Sequence, residues 1–131
     1  MIHVKVTVKG EPDTTPFKHT FFYADESDEK LFYNSVNMIK EKLDKNLKIN
    51  INESLVIYCA YVIDKLRANE AINVIERNAQ NILSPDNVMI GVPESLRKIV
   101  FEVKIDKLPK RRVILKEPIT ISNYILAAKN C

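Results

Sequence analysis

Nine consecutive residues, Leu55-Val56-Ile57-Tyr58-Cys59-Ala60-Tyr61-Val62-Ile63, carry no charge and dictate what the rest of the chain must do. Asn50 and Glu53 stand just before them in the Ncap and N3 relation of a capping-box variant, so the run is introduced as a helix. A helix apolar on nearly every side has to be buried on nearly every side. The run is far below the roughly 20 residues needed to span a bilayer. It is therefore the central helix of a core, and the other segments must wrap around it. The chain has 131 residues, 46% hydrophobic and 28% charged, which is the ordinary globular range. That length sits at the mode of single-domain sizes, so one domain over residues 1–131 is expected.

The amino terminus alternates. Ile2, Val4, Val6 and Val8 fall on one face and His3, Lys5, Thr7 and Lys9 on the other, the period of a half-buried strand. Gly10-Glu11-Pro12-Asp13 breaks it, and Phe17, His19, Phe21 and Tyr23 then share a parity, which predicts a hairpin over residues 1–24. From Ser27 the period lengthens. Phe32, Val36, Ile39, Leu43 and Leu47 recur at helical spacing, with Asp28 and Glu29 placed where a helix amino terminus favours negative charge, and the helix ends near Asn46. Asn69 is the expected cap of a third helix from about Glu70 to Leu83, with Ile72, Ile75, Ala79 and Ile82 facing inward.

Ser84-Pro85-Asp86 restarts a helical turn, with Ser at the cap and Pro at the first helical position, and Gly91 with Pro93 ends the segment Val88-Met89-Ile90. Ile99, Phe101, Val103 and Ile105 alternate as a strand; a polar turn through Asp106 to Lys110 leads to a second strand, Val113-Ile114-Leu115. Pro118 limits that strand, and Ile121 to Cys131 fits either a strand end or a helical tail. The expected fold class is α+β: a three-helix core with a short fourth helix and a carboxy-terminal antiparallel hairpin, plus an additional amino-terminal hairpin.

The supply of chemistry is thin. His3 and His19 are the only imidazoles, and two ligands do not make a three- or four-ligand metal site, so ordinary strand histidines are the simpler reading. Cys59 lies in the most apolar helix, a setting for a core thiol and not a nucleophile; Tyr58 and Tyr61 pack with it. Asp25, Glu26, Asp28 and Glu29 compensate a helix dipole. Gly10 and Gly91 stand apart, so no glycine-rich phosphate loop can be written. Cys59 and Cys131 have no framework spacing, which favours a reducing, cytoplasmic compartment.

The net charge of +3 names no partner by itself. The densest charge is Lys104, Lys107, Lys110, Arg111, Arg112 and Lys116 around the closing hairpin. Within it Lys107, Lys110, Arg111 and Arg112 are candidate anion or partner contacts. No aromatic residue lies between Lys104 and Lys116, so nucleic acid is the weaker use and a solvated turn or interface rim the stronger.

The stretch Ile82-Leu83-Ser84-Pro85-Asp86-Asn87-Val88-Met89-Ile90-Gly91-Val92-Pro93-Glu94 resembles the urease gamma subunit family: Leu, Thr or Ser, two residues, Gln or Asn, Val-Met, any residue, then Gly-Val-Pro-Glu. The likeness continues in order on both sides, from Leu47-Lys48-Ile49-Asn50 with Glu53 to the hairpin ending at Pro118-Ile119, so residues 25–119 form the gamma-like region and 120–131 a tail. Three departures stand out. The amino-terminal hairpin precedes the usual start, Arg67-Ala68-Asn69-Glu70 replaces a loop that carries glycine in the family, and the closing turn 106–110 has no glycine.

The resemblance implies a structural subunit without catalytic or metal residues of its own. It would pack on an alpha subunit that holds nickel and hydrolyses urea, alongside a beta subunit, in an oligomer away from membranes. On that reading Val88, Met89, Gly91, Val92, Pro93 and Glu94 are the family motif and a possible partner interface, with Met89 and Val92 expected in the chain's own core. A stand-alone interaction module and a nucleic-acid-binding module are the alternatives from other classes.

Overall fold

Ile2, Val4, Val6 and Val8 are no more than 2% exposed, so the alternation at the amino terminus does bury one face of a strand. The structure, a computed structural model, describes residues 2–10, 17–23 and 26–120, with side chains from 2–10 and 28–120. Strand β1 (Ile2–Lys9) and strand β2 (Phe17–Tyr23) form the expected antiparallel hairpin. Helix α1 (Glu26–Asp44), α2 (Ile51–Arg67) and α3 (Ile72–Asn78) come next, then a short helical turn α4 (Val92–Ser95) and strands β3 (Lys98–Ile105) and β4 (Arg111–Lys116). The predicted turn at residues 11–13, the side chains of His19 and its neighbours, and the tail with Cys131 lie outside the described residues.

The two hairpins are not separate. They join into one four-stranded antiparallel sheet of order β2-β1-β3-β4, in which β1 is central and pairs along its whole length with β3, from Ile2 opposite Ile105 to Lys9 opposite Lys98. The inward residues of β1, β3 and β4 meet the helices over Phe101, Val103, Val113 and Leu115. Burial of each Val or Phe side chain contributes about 1.5–3 kcal/mol, an upper estimate because the unfolded chain is itself partly collapsed. The first strand thus supplies a full layer of the core.

Helix α2 behaves as its composition demands: Leu55, Ile57, Tyr58, Cys59, Ala60, Val62 and Ile63 are all buried. Its start is fixed as expected, with the Glu53 N–H donating to Asn50 Oδ1 at 2.8 Å and the Asn50 N–H donating to Glu53 Oε1 at 3.1 Å. Lys42 on α1 reaches Glu53 at 2.6 Å, and that bond is the main reason the Glu53 carboxyl is held below its ordinary value. Phe32, Val36 and Ile39 form the inner face of α1, whereas Leu47, past the helix end, is 53% exposed.

The third helix differs from expectation. Asn69 does not cap it: its φ is 61°, in the left-handed region, while an N-cap has extended backbone. The helix starts two residues later with Ala71 at the cap and no side-chain bond there, and after Asn78 it tightens into a 3-10 turn, Ala79–Asn81. The short fourth helix is likewise split, into a 3-10 turn at Pro85–Asn87 and α4 beyond Gly91.

Candidate partner interface

Ser84 and Asn87 clamp the turn that begins the motif. The Ser84 N–H donates to Asn87 Oδ1 at 2.8 Å, and the Asn87 N–H donates back to the Ser84 carbonyl at 3.0 Å. Val88 then forms a parallel bridge with Ile49, just before α2, through the Ile49 N–H to Asn87 O at 3.0 Å and the Met89 N–H to Ile49 O at 2.9 Å. Lys48 Nζ adds a bond to Asp86 O at 2.9 Å. The motif is therefore fastened to the entrance of the central helix.

Gly91 turns the chain at φ 92°, a conformation that side chains other than glycine rarely adopt. Ser95 closes the next turn onto it, its N–H and its Oγ both donating to the Gly91 carbonyl, at 3.1 and 2.9 Å. The consequence is a division of labour within seven residues. Val88 and Val92 are 3% exposed and Pro93 is buried, while Met89 is 46% exposed, Ile90 fully exposed, and Glu94 exposed. Met89 is thus not a core residue as the sequence suggested; Val92 is. The bridge to Ile49 settles which of Val88 and Met89 points inward, and local periodicity cannot see that bridge. A cleft of about 190 Å³ is lined by Ile90, Gly91, Pro93 and Glu94 together with Lys48 and Pro85.

The basic residues of the closing hairpin are elsewhere. Lys107, Lys110, Arg111 and Arg112 are exposed at the turn end of β3 and β4, and β3 separates them from the motif by roughly 24 Å of strand. Lys110 is 3.3 Å from Glu102, and the Lys104 ammonium donates to the Leu108 carbonyl. That hydrogen bond from Lys110, ahead of the fields of Lys5 and Arg112, holds the Glu102 carboxyl below its ordinary value.

His3 stands opposite Phe22 and His19 opposite Val6, positions of opposite strand parity, so the hairpin does not set the two histidines against each other. Cys59 is completely buried, and burial pushes its thiol up to about 12, the state of an inert core group. Tyr61 donates to the Ile75 carbonyl at 2.6 Å, whereas the buried Tyr58 hydroxyl finds no hydrogen-bond partner among the described residues. Glu29 pairs with Arg67, and Tyr33 donates to Asp64 Oδ1 at 2.7 Å, so α1 and α2 are joined by polar links that neither helix's periodicity reveals. Burial first, and then this bond to Asp64, raise the Tyr33 phenol well above its ordinary value. Among the described residues no three of His, Cys, Asp and Glu come together as a set that could hold a metal ion. No described helix is long and apolar enough to cross a membrane.

Comparison with known proteins adds an independent line. The sequence model of the family "Urease, gamma subunit" matches residues 21–119. The urease subunit gamma of Halalkalibacterium halodurans is 33% identical over 92 residues, 70% of this chain and 91% of that protein. Those of Laribacter hongkongensis and Saccharopolyspora erythraea are 27% and 22% identical over 77 residues, covering 59% of this chain and 77% of each relative. Strand β1 lies outside the family match.

Proposed function

The chain belongs to the urease gamma-subunit family, and we propose that it serves as a non-catalytic structural subunit packing on a nickel-bearing alpha subunit in a urea-hydrolysing complex. The observation that carries this reading is the exposure of Met89 and Ile90 on a motif whose backbone is pinned to Ile49 and Gly91. Two large apolar side chains held outward by a rigid turn are the kind of anchor that dominates a protein interface. Glu94 and Lys48 at the rim of the adjoining cleft would supply the polar border.

Nickel enters this proposal only through the partner. The described residues of this chain do not fit a metal: no three of His, Cys, Asp and Glu come together among them, the one described cysteine is a buried core thiol, and Glu29, Glu53 and Glu70 are each paired with a single cation, Arg67, Lys42 and Lys65. What the chain supplies is a shaped surface, with a beta subunit and further copies completing a cytoplasmic oligomer. Lys107, Lys110, Arg111 and Arg112, at the far end of the sheet, would meet a partner only if it extended along β3 and β4.

Ile90→Asp tests the assignment of the interface. Ile90 is fully exposed, so the change should leave the fold and its circular dichroism untouched. It should reduce recovery of the alpha subunit with tagged chain by roughly tenfold or more, the effect of losing an interface anchor. Undiminished recovery would remove Met89 and Ile90 from the contact.

A further inference from the structure

The sheet has two edges, and the chain treats them differently. On the β4 edge the Ile114 N–H donates to Glu76 of α3, and Arg111, Arg112 and Lys116 put charge on the strand. Covering an edge and charging it are two common ways to keep another strand from pairing there. On the opposite edge, β2 runs beside β1 without a bulge, from Phe17 opposite Val8 to Tyr23 opposite Ile2. It holds one formal charge, Lys18, and no proline. Among the described residues no strand pairs with its other side.

The helix above β2 carries exposed apolar residues on the same side. Helix α1 packs on β2, and its inner face is Phe32, Val36 and Ile39. At 3.6 residues per turn, Glu29 and Tyr33 stand roughly 50–90° to one side of that face, where they bond Arg67 and Asp64 of α2. Leu31 and Met38 stand roughly 110–130° to the other side and are 65% and 66% exposed. Because α2 packs on β3, inward of β2 and β1, the flank of α1 turned away from α2 is the one on the outer side of β2.

We propose that β2 and this flank of α1 form a two-fold interface with a second copy of the chain, the two sheets joining edge to edge. The register is the first ground. A strand paired antiparallel with its own copy sets its central residue opposite itself, and in β2 that residue is Thr20. Lys18 then stands opposite Phe22, so the two lysines do not face each other. On α1 the antiparallel match centres between Asn34 and Ser35, with Leu31 opposite Met38 of the second copy. The second ground is that one axis serves both centres. Only residues 24 and 25 separate β2 from α1, so the helix, packed on the strand, runs back along it. Thr20 lies about 10 Å of strand before the end of β2, and the Asn34–Ser35 midpoint about 13 Å of helix after the start of α1. The two centres thus lie at about the same height. A self-complementary interface requires that coincidence and a foreign strand does not. The inference stands independently of which larger subunit the chain joins.

The test is sedimentation equilibrium of the full chain, wild type against Thr20→Lys and Thr20→Glu, each alone and in equimolar mixture. The wild type should show a reversible monomer–dimer equilibrium approaching twice 15.1 kDa at high concentration. Each variant alone sets like charges together at the axis and should dimerise at least about tenfold more weakly, while the mixture regains dimers through lysine–glutamate pairs. The double variant Leu31→Asp, Met38→Asp changes only exposed positions; it should weaken the dimer by a similar factor and leave circular dichroism unchanged. A wild type monomeric at every concentration, a mixture no better than either Thr20 variant alone, or a dimer of undiminished affinity in any of the single or double variants would each overturn the proposal.

Discussion

Asn69 and Asp106 occupy, at φ of 61° and 45°, the two turns that lack the glycine their family places there. Both residue types tolerate the left-handed region through short polar side chains, so the turns keep their shape without glycine. Asn69→Gly should leave the urea midpoint nearly unchanged, whereas Asn69→Val should cost about 1–2 kcal/mol, read from the shift in that midpoint. The same residue shows where sequence reasoning stopped: asparagine is good both as an N-cap and at positive φ, and only the backbone distinguishes them. Cys59 gives a pH prediction. Its folded thiol titrates near 12 against an ordinary value of 9.0, so its contribution to stability is complete below about pH 9 and is lost as pH rises towards 12. The raised phenols of Tyr58 and Tyr33 act in the same direction at higher pH. Thermal midpoints should be flat to about pH 8.5 and fall above it, with a shallower fall in Cys59→Ala.

At the scale of elements, α2 was fully legible because everything that specifies it is local: the Asn50–Glu53 box starts it and an uncharged run fixes its burial. The strands were legible as strands, since alternation is also local. Their order was not. Pairing of β1 with β3 joins opposite ends of the chain, and no turn signal announces it. The edge strand β4 is managed by α3, whose Glu76 Oε2 accepts the Ile114 N–H at 2.7 Å and so occupies a group that another strand would seek. Glu76→Ala should lower stability by about 1–3 kcal/mol, with Glu76→Gln recovering most of it, as measured by equilibrium unfolding. Gly10→Ala should cost a similar amount, about 1–3 kcal/mol, because its new methyl group would press on the Ser95 backbone and not on a movable side chain.

The described residues form a helical layer on a sheet, with the family motif at one end of β3 and a basic turn at the other. The family was legible from one segment, residues 82–94, because a cap, a bridge, a positive-φ glycine and a helix start must succeed one another there in close order. Which motif residues face outward was not legible, since Ile49 decides it from another part of the chain. Two facts support an assembly role: the motif's backbone is hydrogen-bonded to Ile49, and Met89 and Ile90 stand exposed on it. The most direct test is affinity purification of the tagged chain from its native cells, with nickel and urea hydrolysis measured in the eluate and in the isolated chain. The account predicts a nickel-containing, urea-hydrolysing complex in the eluate and neither nickel nor activity in the chain alone. Recovery of a nickel-free homo-oligomer without large subunits would contradict it.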